Sequence, residues 1–153
     1  QQKKCKHNTE KTIEVKITSK GRYGLKAMMT LCEPEARARL LKTREIAEKQ
    51  SIPVKYLEQI INTLKKRRLV DSVRGSEGGY RLAREPETIT VFEILNALEG
   101  DLSVLEKDAD LREGRQGVFW NELDSKIRHI LEIPLTEFVR KNQEAEEGLM
   151  YYI

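Results

Sequence analysis

Cysteine is nearly absent from this chain, with only Cys5 and Cys32 among 153 residues. Two isolated thiols make neither a disulfide framework nor a four-ligand zinc site, which needs Cys or His in closely spaced pairs. Reduced thiols are therefore expected, and Cys5-x-His7, with no second pair after it, reads as part of a solvated tail. Histidine is equally scarce, at His7 and His129. There is no nucleophile–base pattern, no glycine-rich phosphate loop and no metal-ligand spacing, and the acids sit in polar stretches, so an enzyme is not expected. Long apolar runs are missing too: none approaches the roughly 20 residues of a membrane-spanning helix. The opening Gln1-Gln2-Lys3-Lys4 lacks the apolar stretch of a secretory signal, and the expected compartment is the cytoplasm.

What the chain has in abundance is charge, 35% of residues against 39% hydrophobic, which suits a helix-rich protein with an exposed surface. The net charge of +3 hides a division along the sequence. Residues 1–14 carry four Lys against two Glu, residues 15–84 seventeen Lys or Arg against seven acids, and residues 85–153 seven against sixteen. A basic front suggests a polyanionic partner, whereas the acidic back would be repelled by one.

Residues 1–14 show no apolar periodicity and read as a flexible extension. Structure is expected from about Val15. Thr18 or Ser19 can cap a helix carrying Tyr23, Ala27, Met28, Leu31 and Cys32, in which Gly21 and Gly24 allow close approach of a neighbouring helix or a phosphate. A short helix capped by Thr43, a corner at Ser51-Ile52-Pro53 with Ser51 as cap, and a longer helix to about Arg67 follow. The inward stripe of the longer helix is Leu57, Ile60, Ile61 and Leu64, with Lys55, Gln59, Lys65 and Lys66 outside. Two helices joined by so short a turn suggest helix-turn-helix. Residues 69–74 and 80–82 then pair as a hairpin across Gly75-Ser76-Glu77-Gly78-Gly79, and Thr90 caps a helix ended by Gly100. An acidic loop broken by Gly114 and Gly117 fills 101–117. Beyond it Trp120, Leu123, Ile127, Ile130 and Leu131 recur at helical spacing, and Leu135, Phe138 and Val139 continue the stripe. So much apolar surface exceeds what one small core needs, and a homodimer interface is its expected use.

The expected fold is mainly α with a small β-hairpin wing. A winged helix-turn-helix spans 15–100, dimerisation helices 118–142 and a tail 143–153. Val54, Lys55, Tyr56 and Gln59 begin the helix that would enter a major groove of double-stranded DNA. Gln59 suits adenine, Lys55 guanine or a phosphate, and Val54 a thymine methyl. Arg74, Arg81 and the tip amides around Ser76 and Gly78 suit phosphates and the minor groove, and Lys16, Lys20, Arg22 and Tyr23 form a second candidate phosphate clamp. Cys32 lies among core residues and reads as a structural thiol rather than a redox switch.

Three ordered motifs, VKITSKGRYGLKAMM, IAEKQSIPVKYLEQIINTLKKRRLV and SVRGSEGGYRLAREPETITVFEILNALEG, together resemble the Rrf-type winged-helix regulators, the group of IscR, NsrR and CymR. FWNELDSKIRHILEIPLTEFV resembles the group's dimerisation helices, although Pro134 stands where the group usually has a capping Thr. The resemblance implies a DNA-binding regulator and, in many members, an iron–sulfur cluster held by three cysteines ahead of the dimerisation helix. SVLEKDADLREGRQGV has none, only Glu106, Asp108, Asp110 and Glu113, and carboxylates are poor substitutes for thiolates. No cofactor is therefore expected. The ending GLMYYI resembles that of the cluster-less branch represented by CymR, which implies repression of cysteine-metabolism genes and control by a complex with cysteine synthase. Tyr151, Tyr152 and Ile153 would then dock in the synthase active site, with a terminal carboxylate captured by backbone amides. The alternative is an apolar end folded back on its own dimer.

Overall fold

Helix α4 (Val54–Lys66) shows how the sequence pattern builds the molecule. Leu57, Ile60, Ile61 and Leu64 recur at helical spacing and all four are fully buried, each stabilising the fold by roughly 1.5–3 kcal/mol. Around them the computed structural model, which describes residues 17–103 and 114–151, arranges α1 (Ser19–Cys32), α2 (Pro34–Ala38), α3 (Thr43–Gln50) and α5 (Val91–Glu99). A β-hairpin, β1 (Val70–Val73) and β2 (Gly79–Leu82), emerges from the end of α4, and a 3-10 turn (Pro86–Thr88) leads into α5. Two longer helices follow, α6 (Gly114–Leu131) and α7 (Leu135–Met150). No helix among the described residues is long and apolar enough to cross a membrane. The short α2 lies in what reads from sequence as a plain basic connection.

Several helix ends are built differently from the sequence expectation. Thr18 does precede α1, but its side chain caps nothing there; the Glu99 carboxylate, from the end of α5, does so instead. Lys42, not Thr43, is the N-cap of α3, and its backbone N–H donates to Glu45 Oε2 at 2.7 Å. Ser51 does not cap α4. It takes a left-handed conformation (φ 53°) at the end of α3, and this turns the chain so that Pro53 can be the N-cap of α4. Thr90, by contrast, caps α5 as its pattern predicts: Glu93 N–H donates to Thr90 Oγ1 at 3.1 Å while Thr90 N–H donates to Glu93 Oε2 at 3.0 Å.

The hairpin pairs antiparallel in the register Val70 to Leu82, Asp71 to Arg81, Ser72 to Tyr80 and Val73 to Gly79. Leu41, ahead of α3, adds two bonds to its edge: Tyr80 N–H to Leu41 O at 2.8 Å and Leu41 N–H to Tyr80 O at 3.1 Å. The wing is thereby anchored to the helix-turn-helix.

The back of the chain departs furthest from expectation. Helix α6 opens at Gly114, at φ +76°, and Gly117 lies buried inside it, so neither glycine ends a loop reaching 117. Helix α7 runs to Met150, where a tail from 143 is expected. The apolar stripe also divides. Leu135 is fully buried in this chain's own core, with Phe138 and Val139 packed against it, and is not available to a second copy. Pro134 is the N-cap of α7, and the chain beside it is tied to the start of α5 by Val91 N–H to Ile133 O (3.0 Å) and Leu135 N–H to Ile89 O (2.7 Å).

Candidate nucleic-acid interface

The N-terminal end of α4 faces outward, because its apolar stripe begins only at Leu57. Val54 is 38% exposed, Lys55 and Gln59 are exposed, and Tyr56 is half-buried. The Tyr56 ring meets Tyr23 of α1 edge to face, with centroids 5.8 Å apart. This pair places the start of α1, with Lys20, beside the start of α4, while exposed Arg22 lines a separate cleft with Phe138 and Asn142 of α7. Two segments about 30 residues apart in sequence thus lie side by side. Lys16 lies outside the described residues.

The wing separates its two arginines. Arg74 lies at the end of β1, where a cleft is lined by Lys42, Thr43, Lys65, Ser72 and Gly75. Arg81 lies beside Asp71 and lines another cleft with Arg37, Arg39 and Arg84. Ser76 is exposed at the tip. Gly78 is not an available tip amide: it is buried, and its N–H donates to Gly75 O at 3.0 Å. A Cβ there would sit 2.2 Å from Val73 O, so Gly78 keeps the turn tight rather than meeting a ligand. Lys42, Thr43 and Lys65 beside Arg74 were missed by sequence reasoning; a lysine just before the first helix of a helix-turn-helix was the one available signal.

Charge pairing sorts the cations further. Arg37 is bound by Glu85, Lys49 by Glu33, Arg84 by Glu93, and Arg39 by both Glu35 and Glu45. The Arg39 guanidinium, helped by the Lys42 amide, holds the Glu45 carboxyl below its ordinary pKa. Burial works to raise the Glu93 carboxyl, but the Thr90 amide and Arg84 outweigh it and the net shift is downward. Lys20, Arg22, Lys42, Lys55, Lys65, Arg74 and Arg81 have no carboxylate within ion-pair distance among the described residues. They are free to meet an external anion.

Away from this face, Cys32 is half-buried on α1, and burial pushes its thiol above the ordinary value, which disfavours a reactive thiolate. On α6, Val118, Phe119 and Ile130 are 60–69% exposed, while Trp120, Leu123, Ile127 and Leu131 are half-buried. Tyr151 is 91% exposed, and Tyr152 and Ile153 lie outside the described residues.

A helix-turn-helix, a hairpin anchored to it and several cations without carboxylate partners among the described residues define a winged-helix DNA-binding protein. The chain belongs to the Rrf2 family, described as iron-dependent transcriptional regulators, whose model matches residues 17–140. It is similar to the HTH-type transcriptional regulator CymR of Bacillus subtilis, 33% identical over 140 residues that cover 91% of this chain and all of that one. It is also similar to IscR of Aliivibrio salmonicida, 37% identical over 137 residues covering 84% of this chain and 80% of that one. Among solved structures, that of CymR, the global cysteine regulator of B. subtilis, matches with TM-score 0.68 and 32% identity, covering 82% of this chain and 97% of that one. IscR of T. potens matches with TM-score 0.68 and 37% identity, covering 90% and 96%. These relatives are transcription regulators, not enzymes.

The family description raises the question of bound iron. The connection from 101 to 113 contains no cysteine, and the two thiols of the chain lie at positions 5 and 32. Among the described residues no group of three or more His, Cys, Asp or Glu is placed to hold a metal ion. This donor set does not fit a thiolate-ligated iron–sulfur cluster.

Proposed function

We propose that this chain is a homodimeric repressor of cysteine and sulfur-metabolism genes that works without an iron–sulfur cluster and is controlled by complex formation with cysteine synthase. The observation that carries this reading is the similarity to CymR over the whole of that regulator, in a chain whose α5–α6 connection has no cysteine. Lys55, Gln59 and Val54 read bases in the major groove, with Tyr56 buttressing them; Lys20, Arg22 and Tyr23 grip phosphates at the start of α1; Arg74, Ser76 and Arg81 contact the backbone and minor groove from the wing. The apolar row on α6, from Val118 and Phe119 through Trp120, Leu123, Ile127 and Ile130 to Leu131, closes the dimer. Tyr151, fully projected into solvent, leads a synthase-docking segment completed by Tyr152 and Ile153.

Calorimetry on the purified protein without DNA tests the sulfur-sensing part. Binding to cysteine synthase that O-acetylserine competes away, and that deletion of Ile153 abolishes, is the expected result; no binding, or binding indifferent to Ile153, overturns it. An iron–sulfur or thiol-redox regulator is the second reading, favoured by the 37% identity to IscR and by the family's iron-dependent description. Protein purified without air that is coloured, with visible absorbance that bleaches on reduction, would establish a cluster in its place.

A further inference from the structure

We propose that Glu99 is a positioning residue for DNA binding, whose carboxylate holds the DNA-facing end of α1 in the conformation in which Lys20 and Arg22 meet phosphate. Glu99 closes α5, yet it reaches a segment about 80 residues away. Its Oε1 accepts from Thr18 N–H at 2.9 Å and Gly21 N–H at 3.0 Å, and the Thr18 hydroxyl bonds to Oε1 and Oε2 at 2.9 and 3.0 Å. One carboxylate thus satisfies two of the amides that a helix start leaves open and neutralises the positive end of α1. The two helices are pressed close along this seam. A Cβ on Gly21 would lie 2.2 Å from Glu99 Oε1, and one on Gly24 2.0 Å from Leu98 Cδ1. With Glu99 in place, the Lys20 and Arg22 side chains remain without a carboxylate partner among the described residues: Lys20 lies one turn before Tyr23, which packs on Tyr56, while Arg22 donates to Ser19 Oγ at 3.3 Å and lines the neighbouring cleft with Phe138 and Asn142 of α7.

The sign of the effect separates positioning from plain electrostatics. Removing a negative charge beside a DNA-binding surface, by itself, tightens binding; if Glu99 positions the clamp, removing it weakens binding. The proposal rests on the start of α1 being a phosphate clamp. The test uses the full chain and a duplex that the unaltered protein selects from a random pool, with affinity measured across salt concentrations. Glu99→Gln is expected to bind roughly three- to tenfold more weakly, with the log–log salt slope reduced by about one for every phosphate that each half of the dimer no longer reaches. Gly21→Ala, which pushes the carboxylate off, should give the same reduced slope, and the double variant should be no weaker than either single one. Glu48→Gln, at an exposed carboxylate of α3, should bind at least as tightly as the unaltered chain. A smaller folded fraction lowers apparent affinity but not the slope, so melting curves and slope together separate misfolding from a displaced clamp. Glu99→Gln binding as tightly as the unaltered protein or tighter, or weaker at an unchanged slope, overturns the proposal. If Lys20→Ala and Arg22→Ala also leave the slope unchanged, the clamp itself is wrong; if they lower it and Glu99→Gln does not, only the role of Glu99 falls.

Discussion

Of the sixteen lysines and arginines described between Lys20 and Arg84, four are held by carboxylates and twelve are not. Of the five described beyond Gly114, four are held, each by an acid four residues away: Lys126 by Glu122, Arg128 by Glu132, Arg140 by Glu144 and Lys141 by Glu137. The same side chains therefore do different work in the two regions. In the back helices they are tied down along the helix surface, where such pairs add about 0.3–0.5 kcal/mol each. In the front most of them have no carboxylate partner among the described residues and leave a positive field. Apolar residues divide in the opposite sense: the front buries its stripes, and α6 leaves Val118, Phe119 and Ile130 in solvent.

The largest effect is expected from breaking the back region's exposed row. Phe119→Asp combined with Ile130→Asp should convert a dimer to a folded monomer in sedimentation, with DNA affinity lower by at least about 100-fold because two half-sites are no longer engaged together. Next comes Leu135, which marks where the two regions join. Leu135→Ala should cost about 2–5 kcal/mol in urea unfolding, since the residue belongs to the front core. Leu149→Ala, on the exposed end of α7, should stay within about 0.5 kcal/mol. Arg74→Ala should weaken DNA binding by about 1–3 kcal/mol and lower the salt slope by about one for each of the two copies in the dimer. The smallest change sharpens the contrast most finely: Lys126→Ala should shift the urea midpoint barely at all and leave DNA affinity unaltered.

Local pattern made much of the front region legible in the sequence. The period of Leu57, Ile60, Ile61 and Leu64 marks α4, the Thr90–Glu93 spacing marks the start of α5, and glycines at 75, 78 and 79 mark the wing. What escaped is non-local or lacks apolar period. The Leu41–Tyr80 bridge and the Glu99 cap join residues far apart in sequence, and nothing in either segment announces the other. Helix α2 is five residues long, too short for a period to show. Residues 143–150 are polar and acidic, so they read as tail, although the preceding ion-paired turns carry the helix through them. The Leu135 stripe was legible as apolar, but whether its cover was this chain or a second copy was a tertiary fact. Of the candidate DNA-facing groups, the exposed positions at the α4 start were readable because the apolar stripe of that helix begins only at Leu57. Lys42, Thr43 and Lys65 were not, because only the anchored wing brings them to Arg74.

The most direct test of the account is the salt dependence of DNA binding by the full chain. If the unpaired front cations grip the phosphates, affinity for the selected duplex should fall by about 10³-fold or more between about 50 and 200 mM salt, with a linear log–log plot. Binding that barely changes over that range would contradict the assignment of this surface to phosphate recognition.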